Sequence, residues 1–105
     1  MGQAVAYTVR ATCPSPAVAA AYVAWLEGGH VDQVMKGGAH SAMIVRLDAE
    51  RPGDEARVEV RYVFSTREVF DRYIREHAPG LRADGLKHFG PETGVRFERT
   101  VGEIL

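Results

Sequence analysis

The stretch Arg57-Val58-Glu59-Val60-Arg61-Tyr62-Val63-Phe64-Ser65-Thr66-Arg67-Glu68-Val69-Phe70-Asp71-Arg72-Tyr73-Ile74 carries a strand and a helix back to back. Up to Phe64 the pattern has a period of two: Val58, Val60, Tyr62 and Phe64 alternate with Arg57, Glu59, Arg61 and Val63, as in a half-buried strand. Beyond it the spacing changes to three and four, with Phe70, Tyr73, Ile74 and His77 on one helical stripe. Ser65, followed three residues later by Glu68, forms a capping box that starts this helix.

Upstream, His40 to Asp48 alternates Met43, Val45 and Leu47 with Ala42, Ile44 and Arg46, and a polar turn, Glu50 to Asp54, joins it to the quoted strand as a hairpin. Residues 4–11 alternate Val5, Tyr7 and Val9 with Ala6, Thr8 and Arg10, a further strand that breaks at Cys13-Pro14-Ser15-Pro16. Ser15 as N-cap and Pro16 at the first helical position begin a helix striped by Val18, Ala21, Tyr22, Trp25 and Leu26. Gly28-Gly29 ends or kinks it, and a short turn of helix from His30 to Lys36 stops at Gly37-Gly38. Downstream, Pro79 bends the chain into a helix with Leu81, Leu86 and Phe89 as apolar points, stopped by Gly90-Pro91. Val95, Phe97 and Val101 then alternate with Arg96, Glu98 and Thr100 in a last strand. The order β-α-β-β-α-β predicts a ferredoxin-like α+β sandwich over residues 1–105, a four-stranded antiparallel sheet with two helices on one face.

A length of 105 residues is one domain, and 46% hydrophobic against 26% charged is an ordinary globular balance. Such a chain buries about two-thirds of its unfolded surface and leaves a sheet face open, which favours a homodimer. Thirteen basic against fourteen acidic residues argue against a non-specific nucleic-acid or membrane-surface binder. Ala17 to Leu26 is too short an apolar run to span a membrane, and Met1 to Ala6 shows neither a basic leader nor a myristoylation signal. Cys13, the single cysteine, has no disulfide partner and is expected in a turn beside Pro14, and the chain reads as cytoplasmic. Phosphate-binding glycine loops, HExxH and closely spaced His/Cys pairs are absent, so no metal and no cofactor is expected. No serine sits in a nucleophile elbow.

With the apolar alternants under the helices, the opposite face displays Thr8, Arg10, Ile44, Arg46, Arg57, Glu59, Arg61, Arg96, Glu98 and Thr100. It lacks the aromatic rings on which RNA-recognition modules of this strand order stack bases. Three readings stand for it: a solvated face of cross-strand Arg/Glu pairs, a dimer interface using Arg57, Glu59, Arg96 and Glu98, or a small anionic ligand held by the planar forks of Arg10, Arg46 and Arg61. Eleven of the thirteen cations are arginine, as a GC-rich coding bias alone would produce. Among the histidines, His30 follows the glycine break and is the candidate for binding or proton transfer, while His77 belongs to the second helix stripe. Tyr22 and Trp25 read as core.

Trp25-Leu26 with His30-Val31 and Val34, Gly38 and Ala42 leading to Arg46, Val60-Arg61-Tyr62, Tyr73 with His77-Ala78-Pro79, Leu81-Arg82 and Phe89 together resemble a family of short bacterial proteins of unknown function. Those proteins look like single-domain members of the dimeric α+β barrel group. Gly28-Gly29 and Pro14-Ser15-Pro16 depart from the family pattern. The resemblance implies a homodimer with its two sheets face to face. The wider group includes monooxygenases of aromatic substrates, isomerases and haem-handling enzymes, which implies an alternative to a binding or regulatory module. That alternative is an enzyme with a pocket between sheet and first helix, His30 transferring a proton and Arg46 or Arg61 holding an anionic substrate.

Overall fold

The computed structural model describes residues 3–105, so the reading of Met1 and Gly2 lies outside the described residues. Strand β1 (Val5–Cys13) leads to α1 (Pro16–Trp25), a single π turn (Leu26–His30) and α2 (Val31–Lys36). The hairpin β2 (Ser41–Arg46) and β3 (Ala56–Phe64) follows, then α3 (Arg67–Glu76), α4 (Ala78–His88), a 3-10 turn at Pro91–Thr93 and β4 (Arg96–Glu103). The strands are ordered β2-β3-β1-β4, all antiparallel. Each expected helix is thus a broken pair, and both pairs cover the same face of the sheet.

The cross-strand pairs Val5↔Phe64, Tyr7↔Tyr62, Val9↔Val60 and Ala11↔Val58 place the apolar alternants of the two central strands under the helices. Burying them supplies the main stabilising term, on the order of 2 kcal/mol for each large side chain. Two aromatic clusters result. Tyr7, Phe64, Phe70 and Tyr73 meet with ring centroids 5.1 to 6.4 Å apart, and Tyr22, Trp25 and Phe89 meet at 5.3 to 6.0 Å.

Five expectations are corrected. Strand β2 has the opposite parity: Ala42↔Tyr62, Ile44↔Val60 and Arg46↔Val58 put those β2 residues on the helix side, while Met43 and Val45 join Arg61 and Glu59 on the open face. Both alternants of β2 are apolar, so its own pattern does not choose a side, and pairing with β3 does. The second capping residue is Thr66, whose Oγ1 accepts from Val69 N at 3.1 Å, because Ser65 still belongs to the turn after the Val5↔Phe64 pair. Cys13 ends β1 fully buried opposite Ala56 instead of sitting in a turn. On α1 the buried small residue is Ala19, with Ala21 exposed, and His77 is exposed at the α3–α4 break.

The π turn solves a phasing problem. Leu26 and Val34 are both buried but stand eight positions apart, out of phase on an α-helix; absorbing one extra residue makes the separation equivalent to seven, two full turns. Gly29 takes it up with φ 147, a conformation that disfavours any side chain.

Candidate functional site

Between the helices and the covered face of the sheet lies a cavity of about 170 Å³. The central strands contribute Tyr7, Val9, Val60 and Tyr62 to its wall, the first helix pair Tyr22, Trp25 and His30, and the second Tyr73, Leu81 and Arg82. Phe97 and Arg99 close it from β4. The π turn brings His30 to the wall: Trp25 and His30 are five residues apart, the stacking repeat of a π turn, and their rings lie 4.1 Å apart at 22°.

Two polar atoms of this lining are buried without a hydrogen-bond partner, Nδ1 of His30 and the hydroxyl of Tyr62. Tyr62 is only 2% exposed and its hydroxyl has no partner within the chain; a buried hydroxyl left unpartnered costs about 1–3 kcal/mol. Burial pushes the His30 pKa below its ordinary value, with Asp84 opposing the shift and Arg99 reinforcing it. At neutral pH the imidazole is therefore uncharged and one ring nitrogen is a proton acceptor. Burial raises the Tyr22 and Tyr62 hydroxyls well above their usual range and pushes Tyr73 up to about 12, the latter against the pull of Arg82 and Arg99. These tyrosines present O–H groups, not phenolates.

Both guanidiniums at the mouth are exposed and, among the described residues, free of carboxylate partners. Arg82 Nη2 donates a long 3.3 Å hydrogen bond to the Tyr7 hydroxyl, and Arg99 lies over the Phe97 ring with 5.8 Å to its centroid. The cavity is an aromatic chamber with a cationic entrance and two unused polar atoms inside.

The sequence-derived ligand candidates fall elsewhere. Arg10 and Arg61 lie on the open face, clasping Glu59: Arg10 Nε donates to Oε2 at 2.8 Å, and Arg61 donates to Oε1 from Nε at 3.0 Å and from Nη2 at 2.8 Å. Burial alone would raise the Glu59 carboxyl, but the hydrogen bonds and charges of the two arginines outweigh it and hold the pKa below the usual value. Arg46 is exposed at the end of β2 on the helix side, apart from that pair and from the cavity wall. Of the interface candidates, Arg57 donates to the Asp48 carbonyl at 2.9 Å and Arg96 pairs with Glu55 at 2.7 Å. Glu98 is exposed opposite Arg10. His30 alone of the named site residues reaches the cavity.

Arg99 was not singled out by sequence reasoning, and Arg82 entered it only within the Leu81-Arg82 segment of the family resemblance, without a ligand role. The signal for Arg99 was present, since it shares strand parity with Phe97 and Val101 and so belongs to the covered side. The signal for Arg82 was weaker, lying only in its place one residue after Leu81.

This geometry defines a ferredoxin-like α+β domain that keeps a ligand-sized aromatic chamber under its helices. The chain belongs to the DUF4286 family of domains of unknown function, whose model matches residues 5–104. No curated protein matches it in sequence. Among solved structures it is similar to a dimeric ferredoxin-like protein from an uncultured marine organism, with TM-score 0.76 at 16% identity over 98% of this chain and 96% of that one. It also resembles an EthD-family protein from Bacillus halodurans, with TM-score 0.66 at 15% identity over 95% and 99% of the two chains. SnoaB, a cofactor-independent oxygenase from Streptomyces nogalater, has TM-score 0.58 at 17% identity over 98% and 94%. Identities this low establish a shared fold. No helix of the described residues is long and apolar enough to cross a membrane.

Proposed function

We propose that the protein is a small-molecule binding module whose ligand, a compact apolar body bearing an acidic group, occupies the covered cavity with its anionic end between Arg82 and Arg99. One observation carries this reading: an aromatic cavity holding the unpartnered Tyr62 hydroxyl opens past two guanidiniums that have no carboxylate of their own. A polar atom left unsatisfied at a cost is accounted for when a ligand supplies its partner. Native mass spectrometry of gently purified protein tests it. Bound small-molecule mass, lost in Arg99→Gln with the fold intact, supports the reading; equal retention by both proteins overturns it.

The working assembly in this proposal is a cytoplasmic homodimer formed through the open sheet face. Met43 is 58% exposed there, beside an Arg10–Glu59–Arg61 cluster that keeps one net positive charge, with Glu98 exposed opposite Arg10 to answer it. The marine neighbour is itself described as dimeric. Sedimentation at micromolar concentration should give twice the chain mass, falling to one chain mass in Met43→Glu; a wild-type monomer sinks the dimer.

A second reading, proton transfer by His30, is favoured by its uncharged buried imidazole and accords with the oxygenase among the structural neighbours. It requires solvent deuterium to enter acidic C–H positions of the bound ligand in wild type and not in His30→Gln.

A further inference from the structure

Resting on the cavity reading, three features narrow the ligand further: the volume, the wall chemistry and the position of the polar atoms. The cavity's about 170 Å³ is close to the roughly 150 Å³ that accommodates benzene in an engineered apolar cavity, so it encloses one six-membered ring and leaves little for a second. Its wall mixes valines and leucines with rings, Tyr7, Tyr22, Trp25, Tyr62 and Phe97 among them, and those ring faces and edges give a flat aromatic body contacts that a puckered aliphatic one cannot make.

Polarity differs between the exposed and the buried groups of the lining. Arg82 and Arg99 are its exposed guanidiniums, and neither has a carboxylate partner among the described residues. Planar nitrogen forks of this kind match a carboxylate. The interior offers no charge. It holds the hydroxyl of Tyr62, a side chain 98% buried by its 2% exposure, and the uncharged imidazole of His30. Those groups suit a neutral hydroxyl, which both donates and accepts.

We infer that the ligand class is a monocyclic aromatic carboxylic acid carrying a ring hydroxyl, its carboxylate at Arg82 and Arg99 and its hydroxyl against Tyr62 and His30. Fused polycyclic acids exceed the one-ring volume, and aliphatic acids forgo the stacking and edge contacts of the aromatic part of the wall.

Isothermal titration calorimetry with the three hydroxybenzoate isomers, benzoate, cyclohexanecarboxylate and 2-naphthoate tests the class. At least one hydroxybenzoate should bind about tenfold more tightly than benzoate, the difference a satisfied buried hydrogen bond makes. Tyr62→Phe, which deletes only the hydroxyl and keeps the ring packing, should bring that ratio to near one while its melting temperature holds or rises. Arg99→Gln should weaken both ligands by a similar factor. Hydroxybenzoate no tighter than benzoate, or a tenfold ratio that survives Tyr62→Phe, overturns the hydroxyl assignment. Cyclohexanecarboxylate or 2-naphthoate binding most tightly, with loss in Arg99→Gln, overturns the ligand class and leaves the cavity reading standing. Heat from none of the six acids, in protein shown by native mass spectrometry to carry no bound molecule, overturns both.

Discussion

The two faces of the sheet treat their polar groups in opposite ways, although the same strands supply both. On the open face, charge closes on itself: Glu59 is 6% exposed yet each carboxylate oxygen is met by an arginine of the same chain, and Arg57 and Arg96 find acceptors on the β2–β3 connection. On the covered face the hydroxyl of Tyr62 and Nδ1 of His30 are buried with nothing to bond, and the nearest cations point to the entrance without carboxylate partners. A satisfied network stabilises the fold and is silent toward ligands. An unsatisfied one destabilises the empty protein, and the proposed ligand would supply what it lacks.

The comparison can be broken first at Glu59. Glu59→Ala strands two guanidiniums that are 39% and 48% exposed, and the expected loss is about 2 kcal/mol, below the cost of a fully buried pair because water reaches both arginines. Urea unfolding measures it; an unchanged midpoint would show that the network is ornamental. Next in size, Gly29→Ala should lose about 1–2 kcal/mol from the φ 147 backbone alone, since an added Cβ meets no neighbour within 4 Å. A loss of the Trp25–His30 stacking signal in near-ultraviolet circular dichroism should accompany it. Tyr62→Phe should move the other way, stabilising the empty protein by about 1 kcal/mol, because it removes a buried hydroxyl that has no partner. A destabilised Tyr62→Phe would mean that the hydroxyl is already satisfied.

The smallest effect is in the pH dependence, where the faces separate by window. His30 has a folded pKa below the ordinary imidazole value of 6.5, so the unfolded chain binds the proton first and stability declines as pH falls below 6.5. Glu59 has a folded pKa below 4.5, so its contribution is present above that pH and is lost as pH falls through the folded value. His30→Gln should flatten only the upper limb of the acid titration and Glu59→Gln only the lower. One substitution flattening both would show that the two faces are coupled.

How far the chain announces itself depends on whether a pattern has contrast. In β3 the alternants are arginine and glutamate against valine and aromatic residues, so both its face and its place in the fold are legible. In β2, Met43 and Val45 are as apolar as Ala42 and Ile44, and only the partner strand decides, which moved Arg46 to the other side of the sheet. His30 was legible as the residue after a glycine break. A pocket between the sheet and the first helix was implied by the family resemblance, but its lining was not legible, because it arises from a π turn, from aromatic side chains that leave space between them, and from Arg82 and Arg99 on different elements. No local period records such a coincidence.

The π turn also has a hereditary side. Because one residue is absorbed between Leu26 and Val34, a chain missing one codon from the Gly28-Gly29 pair would bring the two flanking core residues into phase on an unbroken helix. The change would fall on the cavity wall and leave the sheet alone. On the proposed cavity reading, a single in-frame deletion would therefore alter the binding site while leaving the scaffold in place.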